Sequence, residues 1–138
     1  VVPPLEGLWW GGAINLDTME ITDKATFTWT MLIRQPEFVT EEVFAWAQEA
    51  LAKKKRNLDP SRARLWRFTE GLCVQILHVG PYDTEPESIR RMEEFAAREG
   101  YRTDMSDVRR HHEIYLSDPR KTAPEKLKTV IRHPIAKL

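Results

Sequence analysis

The segment His111-His112-Glu113-Ile114-Tyr115-Leu116-Ser117 sets a carboxylate, two imidazoles and a phenol within five positions. Its content reads as a β-strand, in which neighbouring side chains point to opposite faces. His111, Glu113 and Tyr115 then share one face, and His112, Ile114 and Leu116 share the other. The apolar pair Ile114/Leu116 is expected against the helices, which sends Glu113 to the concave side of the sheet. If aromatic side chains cover that side, burial raises the carboxyl pKa and Glu113 becomes a usable base or the counter-charge of a cation. A solvent-facing strand glutamate is the competing reading, and spacing alone does not choose between them.

Other residues with chemical potential are fewer. The chain holds five tryptophans, and aromatics beyond the needs of a core often line binding sites. Trp9 and Trp10 are adjacent in a strand-like run, so only one of them should face a pocket. Tyr82, in Gly80-Pro81-Tyr82-Asp83, sits at a strand end, where it either projects toward a ligand or packs on the following helix. His111 and His112 face opposite ways and cannot share a metal, and His78 and His133 complete no ligand spacing, so no metal site and no cofactor are expected. His78, on the Val74/Ile76 face, reads as a core histidine or a pocket group. A nucleophile elbow of the G-x-S-x-G type is absent, as are phosphate-cradling glycine loops. The single cysteine, Cys73, lies in a strand-like run and reads as a small hydrophobe rather than a nucleophile.

The elements that must position these residues follow from periodicity and punctuation. Leu5 to Gly11 reads as a strand closed by Gly11-Gly12, and residues 13–25 as a loop with a possible edge extension. Phe27 to Arg34 is a strand with Phe27, Trp29, Met31 and Ile33 on one face, ended by Pro36. Thr40 caps a helix that begins with Glu41 and Glu42 and buries Val43, Ala47, Ala50 and Leu51; Lys53 to Arg56 suit its negative end. Leu65–Thr69 and Leu72–Val79 flank Glu70-Gly71 as a hairpin. Thr84 and Glu87 match a capping box for a helix whose stripe is Ile89, Met92, Phe95 and Ala96 and whose stop is Gly100. The strand 111–117, a one-turn helix near Pro124–Leu127 and a last strand Lys128–His133 follow. Mixed strands and helices with short links indicate an α+β domain with helices on one face of an antiparallel sheet.

Composition bounds the function. The 138 residues suit one domain, with 41% hydrophobic and 30% charged residues. Twenty-one basic residues balance 21 acidic ones, which argues against direct nucleic-acid binding. A lone cysteine excludes an internal disulfide and suits a reducing compartment. No apolar run approaches the roughly 20 residues that span a bilayer, so a cytoplasmic protein without membrane contact is expected.

Several stretches together resemble the GyrI-like small-molecule-binding family. They are PLEGLWW (4–10), MLIRQPEFVTEEVF (31–44), LCVQILHVGPYDTEPESI (72–89), HHEIYLSDPRK (111–121) and EKLKTVIR (125–132). The resemblance implies a single domain over 1–138 made of duplicated strand–helix–strand–strand modules whose sheet forms a ligand cleft. It implies that Glu113 matches the family's pocket glutamate, Tyr115 its strand neighbour, Tyr82 the GPY tyrosine, and Trp9 and Trp10 the aromatic pair; Trp29, Met31 and His111 complete the expected lining. The family's stand-alone members are expected to carry a strand and helix before PLEGLWW. A chain starting at Val1-Val2-Pro3 is therefore expected to be part of a longer protein or to be completed by a partner subunit.

Three functions follow from that resemblance. In the first, the protein resembles enzymes that open the cyclopropane rings of DNA-alkylating natural products, with Glu113 as base, Tyr115 or Tyr82 as hydrogen-bond donor to the developing oxyanion, and the tryptophans stacking on a flat hydrophobic ligand. This would be a self-protecting, detoxifying hydrolase. In the second, the same pocket sequesters cationic aromatic drugs without chemistry. In the third, the protein acts on a partner such as a topoisomerase.

Overall fold

The computed structural model describes residues 1–14 and 21–138. Its strands are β1 (Leu5–Ile14), β2 (Ile21–Ile33), β3 (Cys73–Val79), β4 (Tyr101–Thr103), β5 (His111–Tyr115) and β6 (Lys128–Lys137). Its helices are α1 (Glu41–Lys54) and α2 (Glu85–Arg98), and single 3-10 turns lie at Pro60–Arg62, Tyr82–Thr84 and Pro124–Lys126. The strands form an antiparallel sheet in the order β2-β1-β5-β6-β3, and β4 pairs with the end of β6. The architecture is the α+β class expected. The order β3, α2, β5, β6 is one strand–helix–strand–strand set with β4 added, and β1, β2 and α1 precede it.

The chain divides into two compact units, residues 1–33 with 70–138, and residues 34–69. In the first, α2 lays Met92 and Ala96 on Val74, Ile131 and Ile135, with Ile76, Ile89 and Tyr101 at the margin. Phe95, expected in that stripe, is instead 49% exposed. Pro86 is accommodated in the first turn of α2, where amides have no intrahelical partner. The expected capping box does not form: the Thr84 hydroxyl donates to the Pro81 carbonyl at 2.8 Å instead. The Tyr82–Thr84 turn occupies the position where the cap would sit.

The β1–β2 pairing also corrects the sequence reading. Gly11 and Gly12 do not close a turn. They take positive φ values of 69° and 87°, the pairing register shifts beside them, and β1 continues to Ile14. Glycine supplies the backbone conformation that such a bulge needs. Much of the expected 13–25 loop is therefore strand, and its residues 15–20 lie outside the described ones.

The expected 65–79 hairpin is half right. β3 forms, but residues 65–69 are not a strand. At the start of β3 the Arg109 guanidinium donates to the carbonyls of Glu70 at 3.0 Å and Leu72 at 2.7 Å, and the Leu72 carbonyl also accepts from the Ile135 amide of β6 at 3.0 Å. Arg109 is itself held by Asp104 at 2.6 Å.

The second unit is small. Thr40 caps α1, accepting from the Val43 amide at 3.3 Å, and Glu41, Glu42, Lys53 and Lys54 suit the helix dipole. None of its residues is buried, contrary to the expected apolar stripe. The Gln48 amide ties the helix to the Pro60–Arg62 turn through the carbonyls of Pro60 at 2.9 Å and Ala63 at 3.0 Å. Trp66 and Phe68 stack with centroids 4.4 Å apart.

Candidate functional site

Register decides which side chains meet. Glu113 pairs with Gly7 of β1 and with Ile131 of β6, and directly opposed residues share a face. Ile131 belongs to the core under α2. Glu113 therefore lies on the same face as α2, which corrects the expectation that it would point away from the helices. Leu116, past the end of β5, is half exposed and lines the same cavity as Glu113, whereas Ile114 is on the other face. That face is not simply apolar, because His112 crosses it between two acids. Its nitrogens meet Glu6 Oε2 and Glu70 Oε1, both at 2.7 Å, and Arg132 reaches Glu70 Oε2 at 2.6 Å.

On the α2 face, the helix packs on β3 and β4 and, through Met92 and Ala96, on Ile131 and Ile135 of β6. Beyond its first half the sheet opens into a cavity of about 1390 Å³. Glu113 forms the floor, with Tyr115 and His111 beside it on β5. The Tyr115 hydroxyl donates to Glu113 Oε2 at 2.7 Å and accepts from Trp9 Nε1 at 2.9 Å. That meeting happens above Gly7, where a Cβ would stand 2.7 Å from Trp9 Nε1 and 3.0 Å from the Tyr115 hydroxyl. Gly7 is thus a site residue that the sequence reading missed, because a glycine opposite the key position leaves no chemical signature.

The strands β1 and β2 supply an apolar wall. Trp9 packs on Trp29 with ring centroids 5.7 Å apart and edge-on to Phe27 at 6.2 Å. Met31 and Leu5 extend the wall. Trp29 keeps 56% of its surface open, an apolar area of the kind that marks a binding surface. Trp10 lines the cavity as well, with the Arg110 guanidinium 3.5 Å from its ring centroid. The expectation that only one of the two tryptophans would line the pocket is corrected. Trp9 alone joins the Glu113 hydrogen bonds, in line with its position on that face. Tyr82 lines the opposite rim and meets Tyr115 edge-on at 6.2 Å. All eight residues expected at the site, Glu113, Tyr115, Trp9, Trp10, Trp29, Met31, Tyr82 and His111, line this one cavity.

The first residue of α2, Glu85, is a second carboxyl beside Glu113, and its sequence position between Thr84 and Glu87 gave it no role of its own. Burial and the Glu113 charge push its pKa up to about 9, so it is a carboxylic acid at neutral pH. An ionised Glu85 would leave Oε1 buried without a donor among the described residues. A protonated one donates to Glu113 instead. Burial also acts on Glu113, but donors from His111 at 2.8 Å and Tyr115 outweigh it and hold its carboxyl below the usual range. Burial and the Glu113 charge raise the Tyr115 hydroxyl. Tyr115 spends its proton on Glu113, so it holds that carboxylate in place in the ligand-free geometry. Environments that push two neighbouring carboxyls apart define an acid and a base.

Cys73 is half-buried at the start of β3, and burial raises its thiol, which leaves it a poor nucleophile. His78 is buried and satisfied, between Ser88 Oγ at 2.9 Å and the Pro81 carbonyl at 3.0 Å. Among the described residues, no three His, Cys, Asp or Glu side chains are arranged to hold a metal ion. No helix among them is long and apolar enough to cross a membrane.

Comparison with known proteins supplies the context of this cavity. The family model of the GyrI-like small molecule binding domain matches residues 1–136. A crystal structure of a hydrolase from Listeria innocua is 48% identical with a TM-score of 0.87, covering 99% of this chain and 64% of that one. An uncharacterized conserved protein from Listeria innocua is 51% identical with a TM-score of 0.89, covering 99% of this chain and 65% of that one. Another hydrolase structure from the same organism is 50% identical with a TM-score of 0.86, covering 99% and 64%. The chain thus spans less than two thirds of the length of the structures it matches. No curated protein matches it.

Proposed function

The chain belongs to the GyrI-like small-molecule-binding family, and we propose that it hydrolyses hydrophobic aromatic electrophiles, such as cyclopropane-bearing DNA alkylators, as a cytoplasmic self-protection protein. The observation that carries this reading is the pairing of an ionised Glu113 with a protonated Glu85 on the floor of an aromatic-walled cavity. The hydrolase names of two similar structures support it.

The chemistry balances within the pair. A flat ligand stacks on Trp9 and Trp29 with its strained ring over Glu113. Glu113 takes a proton from water as the water oxygen bonds to a ring carbon. The cyclopropane C–C bond breaks, and its electron pair moves into the conjugated carbonyl. That carbonyl oxygen becomes an oxyanion and takes the Glu85 proton, with Tyr82 at the same rim as a hydrogen-bond donor. Glu113 then passes its proton to its neighbour Glu85 and the cycle closes. No cofactor enters the balance.

A time course of a cyclopropane-bearing alkylator with wild type and Glu113→Gln tests this. Ring-opened water adduct from wild type, with a loss of at least about 100-fold in the variant, is the expected result. Equal turnover by both proteins would sink the assignment of Glu113. The open acidic floor also suits a second reading, sequestration of cationic aromatic ligands. Tryptophan quenching by such cations, without turnover of neutral alkylators, would favour it.

A further inference from the structure

Glu113 and Glu85 are the same chemical group, side by side, and something must decide which is base and which is acid. A chain of hydrogen bonds behind Glu113 supplies the asymmetry. His111 Nε2 meets Glu113 Oε1 at 2.8 Å, and His111 Nδ1 meets His133 Nε2 at 2.7 Å. His133 Nδ1 meets Glu93 Oε1 at 3.0 Å, and the Thr103 hydroxyl donates to the same oxygen at 3.2 Å. The chain runs from the floor of the cavity, across β5 and β6, to a side chain on α2 that is 34% exposed.

A proton count fixes its charge. Three hydrogen bonds link four groups, and each bond needs one proton. Two neutral imidazoles bring only two. With both carboxylates ionised, the third proton makes one imidazole an imidazolium. Burial disfavours the charge on His133, so the count assigns His133 the neutral ring and leaves the third proton to the bond between His111 and Glu113. The His133 bond keeps Glu93 below the usual carboxylate range despite its partial burial, so the outer end of the chain is an anion.

We infer that Glu93 and His133 are positioning residues that hold His111 doubly protonated and thereby make Glu113 the base and Glu85 the acid of the pair. The inference rests on the hydrolase reading for its consequence in catalysis, while the charge arrangement stands apart from it. The titratable groups facing Glu113 and His111 are Glu85 and Glu93 from α2, His133 from β6, Tyr115 from β5 and Tyr82 from the turn before α2. Arg110, next in the chain to His111, is turned onto Trp10, and its Nε donates to the Asp107 carbonyl. Among these groups, His111 is the imidazole that touches Glu113.

Glu93→Gln keeps an acceptor for His133 but removes the anion. In nitrogen-edited NMR of the ligand-free protein at neutral pH, wild type should show one doubly protonated and one neutral imidazole for this pair, and the variant two neutral ones. The midpoint for ionisation of Glu113, followed through Trp9 fluorescence, should rise by at least one pH unit. Below that midpoint kcat/KM should fall about tenfold, the ratio that one unit represents, with quenching by a neutral aromatic ligand unchanged. Glu93→Asp should restore wild-type behaviour, and His133→Phe, which breaks the chain at its centre, should reproduce the loss. Identical imidazole spectra and an unmoved midpoint in Glu93→Gln would overturn the inference. If the spectra change as expected but wild type hydrolyses nothing, the hydrolase reading fails and the charge arrangement stands.

Discussion

At the scale of single residues, the site depends on what stands opposite Glu113 as much as on Glu113 itself. Gly7 leaves the space in which the Trp9 indole N–H and the Tyr115 hydroxyl meet. Gly7→Ala should push the two apart and release Tyr115 from Glu113. For the proposed hydrolysis the expected outcome is a loss of about 10- to 100-fold in kcat, the scale of an ångström-level misplacement of reacting groups, with the far-ultraviolet circular dichroism unchanged. A variant with full turnover would show that the Tyr115 contact is dispensable. The strand pattern of 111–117 was enough to put His111, Glu113 and Tyr115 together, because alternation is local geometry. It could not reveal Gly7 or Glu85, since a glycine and a first-turn helix glutamate have ordinary local reasons to be where they are.

At the scale of elements, the long periodic segments were legible and the punctuation was not. α1, α2, β5 and the core of β2 lie where spacing puts them. The failures fall where punctuation has a second use: Gly11 and Gly12 make a bulge inside β1 rather than a turn, Thr84 bonds back to the Pro81 carbonyl rather than capping α2, and residues 65–69 are not a strand. Arg109 holds the start of β3 through the Glu70 and Leu72 carbonyls. Arg109→Ala should destabilise the protein by about 2 kcal/mol, the scale of charge-assisted hydrogen bonds lost from partly buried acceptors, as read by urea unfolding. A change within about 0.5 kcal/mol would mean that water replaces the guanidinium there. β4, three residues long, gives no periodic signal and exists because it pairs with the end of β6.

At the scale of the whole molecule, the buried carboxyls tie stability to pH. Glu85 has its pKa raised from 4.5 to about 9 in the folded state. A raised acid binds its proton more tightly when folded, so its contribution is fully present below pH 4.5 and is lost as pH rises toward 9. Glu70 and Glu93 are lowered, so what they contribute is present above about pH 4.5 and is lost on acidification. Stability of wild type should therefore decline on both sides, and the alkaline decline, limited to about 1.4 kcal/mol per pH unit for one group, should flatten in Glu85→Gln. Melting temperatures measured from pH 4 to 9.5 check this, and an equal alkaline slope in both proteins would place the charge penalty elsewhere.

The amino-acid sequence by itself determined the α+β class, the family, the aromatic face of β2 and the face of β5 that carries Glu113. These follow from periods of two and of 3.6 residues and from motif order, which are written along the chain. Tertiary structure alone decided that α2 and the site share one sheet face, that Gly7 clears room for Tyr115, and that Glu85 arrives beside Glu113 as an acid. It also joined Glu93, His133, His111 and Glu113, which are up to 40 positions apart, into one hydrogen-bonded chain. Strand register and helix docking bring distant groups within 3 Å, and electrostatics at that range depends on the partner, not on the residue type.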